Sequence, residues 1–435
     1  MVSNVQLRPP SGFRDFSPRE MILRKKILGI IEDCFIRYGF DPIETPAIEY
    51  WETFEGKYGE EAENKLLYRF KDPWSEKWFA LRFDLTVPMV RFFASKALPI
   101  PFKRYHIGRV WRHERPQRGR YREFWQADAD IIGSVFPEAD AELLDLTIYV
   151  LQKLGFRNFV VKLNDRKMLR GIFEEELELR DVLPIYRAID KLDKIGLDGV
   201  REELKKLGLD STKVERIIDI ISEERSPDLM LETIQNRFRH NENVKQGVSH
   251  LSSIIDFLDN KKKYVQIALN LVRGLDYYTG PVWEVVLTDI RIGSIAGGGR
   301  YDDLIFLYTG KNVPATGTSL GVERVIEAGI ELGLFNLNTE TYTTIYVVSL
   351  SKNAFKHAWK LAMKLRDTGF STQVDLMRRS EKKQREYVSK KDIPLIIFLG
   401  EKEIKSGIVT IYDRRTGKRY TVKEDAISDT LKKIL

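Results

Sequence analysis

The amino-acid sequence predicts an α+β fold that ends in a separate α/β domain. Residues 60–133 contain short runs of alternating apolar and polar side chains, which are typical of strands. Residues 166–262 are densely charged and carry helical stripes, and strand-like patterns then return. The chain has 435 residues, a length that corresponds to about three domains.

The first predicted helix has clear signals at both ends. Ser17 can cap it, Pro18 suits its first position, and Glu20 adds an acidic side chain to its first turn. Gly39 ends the helical stripe. The Pro-containing segment 41–46 then predicts an extended chain, because a residue before proline is disfavoured in a helix.

The last hundred residues predict a compact βαβαβ unit with a parallel sheet. A polar linker at 336–340 precedes them. The predicted strands are 344–350, 372–375 and 394–399, and the predicted helices are 354–368 and 380–389.

Composition excludes several classes of protein. Cys34 is the single cysteine, which excludes a disulfide scaffold and a cysteine zinc site, and with 5 His a histidine-rich metal centre is not expected. The start of the chain has no apolar signal segment and no run is long enough to span a bilayer, so we expect a cytoplasmic protein. The formal net charge of +7 fits a partner that is a polyanion.

An arginine-rich hairpin is the densest signal in the sequence. Seven arginines fall between Arg104 and Arg122. The polar segment 114–120 contains Pro and Gly and predicts a loop between strands at 107–112 and 124–132. So many guanidinium groups suit an anionic ligand, because they bind phosphate and carboxylate groups with paired hydrogen bonds.

Each strand of this hairpin is expected to present polar side chains to one face, because residues two apart on a strand point the same way. Arg112 and Glu114 should project together. Gln126, Asp128 and Asp130 should project together from the partner strand. Such a face suits a zwitterionic or phosphorylated ligand. The simpler alternative is a solvated hairpin with exposed ion pairs, which contribute little energy.

Two further segments combine glycine with arginine or tyrosine. Segment 271–280 reads LVRGLDYYTG, and it predicts Arg273 at the end of a strand. Tyr277 and Tyr278 would then point to opposite faces if the chain stays extended. Segment 296–302 reads AGGGRYD, and its three glycines let a ligand or another backbone come very close. Ordinary aromatic packing and a flexible turn are the simpler alternatives.

A fourth segment, 317–324, predicts a glycine-containing strand that runs into a helix near Ser319. Its sequence, GTSLGVER, places Arg324 in the first turns of that helix, where an arginine can hold a phosphate or stack on a base. A surface ion pair with Glu323 is the simpler alternative. The chain has neither a Walker phosphate loop nor a GxGxxG that opens a βα unit.

In their order and joint content, these segments resemble the signature motifs of class II aminoacyl-tRNA synthetases, and specifically of the histidyl-tRNA synthetase family. Pro46 stands where the class has the motif 1 proline. Residues 112–126, RHERPQRGRYREFWQ, resemble motif 2, and 317–324 resembles motif 3. LVRGLDYYTG and AGGGRYDDL resemble blocks that are particular to the histidine enzymes. The resemblance covers almost the whole chain.

The resemblance implies a class II synthetase antiparallel sheet with flanking helices, a helical insertion domain and a C-terminal α/β anticodon-binding domain. The implied bounds are 1–165 for the first part of the catalytic domain, 166–262 for the insertion, 263–335 for the second catalytic part and 341–435 for the anticodon-binding domain. Enzymes of this kind form symmetric dimers, so a homodimer is expected with Pro46 near the two-fold axis.

The resemblance also implies the reaction. L-histidine and ATP would form histidyl-adenylate and pyrophosphate, and the histidyl group would pass to the 3′ end of tRNA(His). By resemblance, Arg112 and Arg273 are catalytic and hold the α-phosphate and the substrate carboxylate, with Arg273 in place of a catalytic metal. Such a site works by aligning two anions and by dispersing the charge that develops between them.

Matching family positions supply the binding residues. The histidine-binding residues are Asp84, Thr86, Arg112, Gln126, Asp130, Arg273, Tyr277 and Tyr278. The ATP-binding residues are Arg112, Glu114, Arg120 and Arg324. A carboxylate and a tyrosine hydroxyl can together satisfy both imidazole nitrogens, and such a site rejects isosteres that would leave its polar groups unpaired.

The remaining partners follow from the same resemblance. Arg115 and Gln117 in the motif 2 loop would face the acceptor end of the tRNA. The basic segment 378–385 suits contacts with anticodon phosphates, and a solvated helix face is the simpler alternative. Mg²⁺ would arrive with ATP, and no metal site built from the protein alone is expected.

Three positions depart from the family pattern. Phe83 replaces a proline, Trp125 replaces a histidine, and Asp130 stands where many members have glutamate. The chief alternative function is that of a histidine-binding regulatory paralogue without aminoacylation activity. Such paralogues typically lack the anticodon-binding domain and lose arginines such as Arg273. This sequence has both the domain and Arg273, which favours the enzyme. A pure RNA-binding or sensing module would not need the intact set of arginines.

Overall fold

The computed structural model describes residues 6–58, 60–272 and 277–435. The chain forms two compact units. The first comprises Met1–Asp15 and Ile27–Phe335, and the second comprises Phe16–Lys26 and Asn336–Leu435.

The elements up to residue 335 alternate between strands and helices. The strands are β1 (Asp41–Pro42), β2 (Ile48–Tyr50), β3 (Arg69–Lys71), β4 (Trp78–Leu81), β5 (Phe102–Trp111), β6 (Glu123–Ile132), β7 (Phe159–Asp165), β8 (Val265–Ile267), β9 (Pro281–Leu287), β10 (Ala296–Arg300) and β11 (Ala315–Gly321). The helices are α1 (Pro18–Arg37), α2 (Glu60–Lys65), α3 (Thr86–Ala94), α4 (Pro137–Lys153), α5 (Arg166–Arg170), α6 (Val182–Ile189), α7 (Leu192–Lys206), α8 (Ser211–Ser222), α9 (Pro227–Arg237), α10 (Glu242–Phe257), α11 (Phe306–Thr309) and α12 (Val322–Glu331). A π-helix, Gly171–Glu176, directly follows α5.

The first unit is built on a large, mostly antiparallel sheet. Its described strands run in the order β1-β5-β6-β11-β10-β9-β7-β8, and only the two outermost pairs, β1 with β5 and β7 with β8, are parallel. The hairpin of β5 and β6 is paired over ten positions. Helix α4 packs behind the middle of this sheet, where Thr147 and Thr318 are joined by a hydrogen bond of 2.9 Å.

A smaller sheet, in the order β2-β4-β3, stands apart from the large one. Each of its strands is only three or four residues long. One face carries apolar side chains from all three strands, and several of them are exposed. These side chains are Ile48, Tyr50, Phe70, Phe79 and Leu81.

The helices between residues 166 and 257 belong to the same compact unit as the sheet. A buried polar network joins them to it. Arg300, at the end of β10, donates to Asp140 of α4 through Nε at 3.0 Å and Nη2 at 2.6 Å. His250 of α10 approaches the same carboxylate oxygen at 3.0 Å. Asp140 and Arg300 are both buried, so neither charge is solvated by water. The ion pair between them compensates for part of that lost solvation.

The second unit is an α/β layer structure. Its strands are β12 (Ile345–Ser349), β13 (Thr372–Val374), β14 (Leu395–Leu399), β15 (Ile408–Asp413) and β16 (Arg419–Lys423), and its helices are α13 (Phe355–Asp367), α14 (Glu381–Lys390), α15 (Glu401–Ser406) and α16 (Ile427–Ile434). The strand order is β13-β12-β14-β15-β16, with the first three parallel. Helices α13 and α16 cover one face of this sheet, and α14 covers the other.

The sequence predicted most of these elements, and the exceptions have local causes. The first helix is confirmed as α1, and the backbone N–H of Ser17 donates to Glu20 Oε2 at 2.7 Å. The helix α3 was missed because its apolar residues were attributed to a strand-rich region. The helix predicted near Ser319 begins only at Val322, because β11 continues to Gly321. No helix in the described ranges is long and apolar enough to cross a membrane.

Candidate active site

One face of the large sheet is a trough with glycine along its floor. Residues directly opposite each other in an antiparallel pair share a face, so the strand register defines this surface. Its side chains from β5, β6 and β11 are Arg104, His106, Gln126, Asp128, Asp130 and Ser319, and its glycines are Gly108, Gly297, Gly299, Gly317 and Gly321. At three of these glycines the missing Cβ allows close packing of the protein itself, because a Cβ at Gly108, Gly299 or Gly317 would lie within 3.0 Å of Arg82, Tyr278 or Asp130, respectively.

Asp130 is held by partners from two other segments. Arg104 Nη2 lies 2.5 Å from Asp130 Oδ2, and neither side chain is more than 2% exposed. The Tyr301 hydroxyl donates to the other carboxylate oxygen. On the third side, a Cβ added at Gly317 would lie 2.0 Å from Asp130 Oδ1. Burial raises the pKa of Asp130, and the Arg104 charge and the Tyr301 hydrogen bond act against that rise.

Asp84 lies at the start of α3 and accepts two hydrogen bonds through one oxygen. The Tyr58 hydroxyl donates to Asp84 Oδ1 at 2.9 Å, and the backbone N–H of Val87 donates to it at 3.0 Å. The second oxygen, Oδ2, is buried without a hydrogen-bond partner. Burial raises the pKa of Asp84, and the two hydrogen bonds oppose that rise.

Two hydrogen bonds through Ser319 connect the polar side chains of β6 to β11. Gln126 Nε2 donates to Ser319 Oγ at 2.6 Å, and Ser319 forms a hydrogen bond with Asp128. The Gln126 carbonyl oxygen and Asp128 Oδ1 are both buried without a hydrogen-bond partner. The hydrogen bonds to Ser319 therefore orient one free acceptor oxygen on Gln126 and one on Asp128.

Four side-chain oxygens in this site are buried without a hydrogen-bond partner: Asp84 Oδ2, Gln126 Oε1, Asp128 Oδ1 and Asp130 Oδ2, the last of which forms the ion pair with Arg104. Buried polar atoms in proteins nearly always have a hydrogen-bond partner, because an unsatisfied one costs about 1–3 kcal/mol. A ligand that offers several N–H donors would remove that cost. The site is therefore suited to a ligand with an ammonium group and further N–H groups.

Arg112 is a further cation of the site, and its guanidinium is held by two aromatic rings and a carbonyl oxygen. Its guanidinium lies 4.3 Å from the centre of the Phe83 ring and 5.2 Å from that of Phe124. Its Nε donates to the carbonyl oxygen of Phe83 at 3.1 Å. Phe83, which departs from the family pattern, therefore supplies the surface on which this arginine stacks.

Tyr277 and Tyr278 lie beside the carboxylates, and their rings are neighbours. The ring centres are 5.1 Å apart and Tyr277 lies in a turn, so the chain is not extended there and the condition for opposite faces is not met. Tyr277 forms a hydrogen bond with Thr86. Tyr278 packs directly over Gly299, where an added Cβ would lie 2.8 Å from its ring. The glycine run is therefore a central strand, and the alternative of a flexible turn is wrong.

Arg324 is locked beneath the loop that joins β5 to β6. Its Nε donates to the carbonyl oxygen of Gly119 at 2.9 Å, and its Nη1 donates to that of Ser294 at 2.5 Å. Glu114 Oε2 and Arg120 Nη1 lie 3.4 Å apart in the same loop. Burial lowers the pKa of Arg324, and the neighbouring charge of Arg120 lowers it further. Two cations held close together in this way favour an anionic ligand.

Comparison with known proteins decides the family. The family model for histidyl-tRNA synthetase matches residues 12–325, which is more than half of the chain. The chain belongs to the histidyl-tRNA synthetase family. A second model, described as an anticodon binding domain, matches residues 344–434.

Individual relatives of this synthetase family match nearly the whole chain. A histidine–tRNA ligase of Aeropyrum pernix is 53% identical over 416 residues, which are 95% of each chain. One of Korarchaeum cryptofilum is 53% identical over 429 residues, which are 98% of each. The crystal structure of histidyl-tRNA synthetase from Nostoc sp. PCC 7120 is 29% identical, with a TM-score of 0.86 over 99% of this chain and 100% of that chain. The predicted family and fold class are confirmed.

The structure brings most of the predicted synthetase residues into two neighbouring groups. Around the trough lie Asp84, Thr86, Arg112, Gln126, Asp130, Tyr277 and Tyr278. Beneath the motif 2 loop lie Glu114, Arg120 and Arg324. Arg115 and Gln117 are exposed on that loop. Arg273 lies outside the described residues, so its role stays a prediction.

Sequence reasoning gave no role to several side chains that the structure places in the site. Arg104, His106 and Tyr301 are buried there, and Asp128 had been placed only on the polar face of the hairpin. Strand alternation carried a usable signal, since Arg104 and His106 share a face with the strand partners Asp130 and Asp128. The contact of Tyr301 with Asp130 had no such signal, because the two residues are 171 positions apart.

Proposed function

We propose that this chain activates L-histidine with ATP and then transfers histidine to the 3′ end of tRNA(His). Relatives that are up to 53% identical over nearly the full length are named histidine–tRNA ligase, and they support the enzyme over the regulatory alternative. Within the chain, the observation that carries the proposal is the set of buried side-chain oxygens without hydrogen-bond partners near Arg112.

L-histidine supplies the groups that the trough lacks. Its α-ammonium has three N–H donors, which we assign to Asp84 Oδ2, Gln126 Oε1 and the hydroxyl of Thr86. Its carboxylate would pair with Arg112. This arrangement leaves an imidazole N–H to be satisfied by a carboxylate deeper in the trough.

In the activation step, the protein would mainly align two anions, the histidine carboxylate and the α-phosphate of ATP. It would form no covalent bond with either. A carboxylate oxygen of histidine forms a bond to the α-phosphorus, and the bond from that phosphorus to the pyrophosphate oxygen breaks. Arg112 would hold both reacting groups, because a fixed guanidinium can neutralise charge without reorganising. Arg324 and Arg120 would hold the outer phosphates and the base, and Glu114 would contact the adenine. Arg273 is proposed from the resemblance alone.

Magnesium is proposed to accompany ATP. No cluster of three or more His, Cys, Asp or Glu side chains that could bind a metal occurs among the described residues. The phosphates of ATP would therefore supply the main ligands, as is usual for this ion. The prediction that the protein builds no metal site of its own stays a prediction.

The test of the proposed function is pyrophosphate exchange into ATP with each of the twenty amino acids. Exchange that requires histidine would support activation, and charging of tRNA(His) in the same preparation would support transfer. Histidine binding without exchange would instead favour the regulatory alternative. Exchange with a different amino acid would refute the proposal.

Adjacent residues of β11 provide a matched pair of variants. Ser319 faces the trough, so Ser319→Ala should release the Gln126 amide and raise the KM for histidine about tenfold, with unfolding little changed. Thr318 faces α4, so Thr318→Val should cost about 1 kcal/mol of unfolding free energy with the KM unchanged. Steady-state exchange and thermal melting measure both. Equal KM values for the two variants would contradict the assignment of the trough.

We propose that the second unit binds the anticodon of the tRNA through the surface around α14. The loop between β13 and α14 exposes Leu376 and Met377 at 74% each, and Lys382 and Lys383 follow on exposed positions of α14. Cations beside exposed apolar side chains suit a phosphate backbone with unpaired bases.

Removing two of these cations tests the anticodon surface. Lys382→Ala combined with Lys383→Ala should raise the KM for tRNA about tenfold and leave histidine-dependent exchange unchanged. The matched control is Lys432→Ala combined with Lys433→Ala on α16, which covers the opposite face of the sheet. Aminoacylation kinetics that respond equally to both pairs would argue against this surface.

We further propose a homodimer, in the cytoplasm, formed through the small sheet. Tyr50 and Ile48 of this sheet are about half exposed, at 49% and 47%, and Pro46 beside them is also exposed. An apolar face of this kind on a sheet marks a protein–protein contact, and a second copy of the same chain fits it because the face is apolar throughout.

The dimer predicts a specific response to a single charge. Tyr50→Glu should convert the protein to a monomer in light scattering after size exclusion, because a carboxylate would be buried without a partner. Leu207→Glu is the matched control, because Leu207 is 44% exposed at the end of α7, in the helical region. A monomeric unmodified protein, or an unchanged mass for Tyr50→Glu, would contradict the proposal.

A further inference from the structure

We propose that Arg14 is a positioning residue that holds Arg120 and Arg324 in place to bind ATP. Tyr121 directly follows Arg120 in the motif 2 loop. Glu323 directly precedes Arg324 in the first turn of α12. Arg14 contacts both Tyr121 and Glu323. This inference rests on the proposed function, since it requires that ATP binds to the two arginines.

The guanidinium of Arg14 joins the loop to the helix through three side chains. Its carbon Cζ lies 3.3 Å from the centre of the Tyr121 ring. Nη1 donates to Glu327 Oε1 at 3.3 Å, and Nη2 lies 3.7 Å from Glu323 Oε1. The Tyr121 hydroxyl donates to the same Glu327 oxygen at 2.5 Å. One cation therefore links the end of the motif 2 loop to two carboxylates of α12.

These two carboxylates lie close together and have the same charge. Glu323 and Glu327 are four residues apart on α12, so they lie on the same side of the helix and repel each other. Glu323 is only 4% exposed, so water and salt screen little of that repulsion. Its Oε2 accepts from the backbone N–H of Trp125 at 2.8 Å, which holds this carboxylate against β6. The positive charge of Arg14 therefore stabilises an arrangement that the two carboxylates alone would oppose.

The segment that carries Arg14 is bonded to the same part of the loop through its backbone. The N–H of Arg122 donates to the carbonyl oxygen of Gly12 at 2.9 Å. Gly12 has a φ of +87°, and a Cβ there would lie 2.7 Å from the Arg122 side chain, so only glycine allows this close approach. The carbonyl oxygen of Arg122 in turn accepts from the N–H of Arg112 at 2.9 Å. The segment before Arg14 therefore follows the residues that lead into β6.

Arg120 and Arg324 repel each other when no anion lies between them. The charge of Arg120 lowers the pKa of Arg324, in addition to the larger effect of burial. This repulsion favours separation of the loop from α12. The bond from Arg324 Nε to the carbonyl oxygen of Gly119 opposes the separation, and the contacts of Arg14 oppose it through the next residues in the sequence. Binding groups that are already in place leave less ordering to be done when the ligand arrives, which improves affinity.

The experiment is histidine-dependent pyrophosphate exchange by Arg14→Gln, with ATP and histidine varied in turn. We expect the KM for ATP to rise about tenfold, because the two arginines are no longer held together. The KM for histidine should stay within about threefold, because the trough keeps its side chains. Arg14→Lys keeps the charge and should raise the KM for ATP only about threefold.

Two further variants distinguish positioning by charge from a general loss of packing. Adding Glu327→Gln to Arg14→Gln should bring the KM for ATP back to within about threefold of the unmodified value, because it removes the repulsion from Glu323. A further rise in the double variant would refute the role of the Arg14 charge. Glu331→Gln is the matched control one turn along α12, because its pair with Arg118 is exposed, and its KM for ATP should stay within about twofold.

The outcomes separate this inference from the proposed function. If the unmodified protein shows no exchange that depends on histidine, the proposed function fails. If it does, and Arg14→Gln keeps the KM for ATP or raises both KM values equally, the assignment to Arg14 is overturned. Thermal melting monitors folding. If Arg14→Gln does not fold, Tyr121→Phe removes only the hydroxyl bond to Glu327 and should raise the KM for ATP about threefold, and an unchanged value there would equally overturn the inference.

Discussion

Replacing Arg112 by glutamine is expected to reduce histidine-dependent pyrophosphate exchange about a thousandfold. Arg112 is the cation fixed beside the unpartnered acceptors, stacked on Phe83 and bonded to the Phe83 carbonyl oxygen. Glutamine keeps polar contacts and removes the charge that would neutralise the α-phosphate and the attacking carboxylate. The loss should appear mainly in kcat, because that charge matters most when the new bond forms.

Two variants make this result specific. Arg112→Lys should recover only part of the loss, since an ammonium can neither stack as a plane nor offer two parallel donors. Arg109→Gln is the matched control near the end of β5, because Arg109 is partly exposed and pairs with Glu123 at 3.6 Å. Its exchange rate should stay within about twofold of the unmodified rate, since an exposed pair of this kind contributes little. Equal losses in Arg109→Gln and Arg112→Gln would refute the special role of Arg112.

The second large effect is on stability. Asp130→Asn is expected to cost about 3–5 kcal/mol, because it removes the carboxylate that forms the buried ion pair with Arg104. Asparagine has almost the same shape and can still accept from Tyr301, so the cost would come from the charge. For a unit of this size, the midpoint of thermal unfolding should fall by roughly 5–10 °C, as followed by circular dichroism.

A double variant distinguishes the loss of stability caused by breaking the ion pair from the loss caused by changing a buried side chain. Arg104→Met combined with Asp130→Asn removes both members of the ion pair and should recover at least half of the lost melting temperature, because neither member is left without the other. Arg104→Met alone should be as damaging as Asp130→Asn alone. If the two single losses simply add in the double variant, the two side chains do not act as a pair.

The candidate site shows where sequence reasoning reaches its limit. Gln126, Asp128 and Asp130 were expected on one face, and the register of β6 confirms it, because strand alternation is a local rule. Arg112 and Glu114 were paired by the same rule, yet β5 ends at Trp111, so the rule does not apply beyond it. The glycine run at 297–299 allowed two interpretations, a turn and a close approach. The packing of Tyr278 against Gly299 decided between them.

The sequence by itself determined the family, the fold class and the set of polar residues from which a site can be built. These follow from order and local pattern, as with the arginine-rich hairpin and the βαβαβ end of the chain. Only the tertiary structure decided which of those residues are already paired. Arg104 with Asp130, and Tyr301 with Asp130, are contacts between separate strands and loops, and they depend on register and burial. Pairing of this kind cannot be predicted from local pattern, because the partners are far apart in the sequence and meet only in the folded chain.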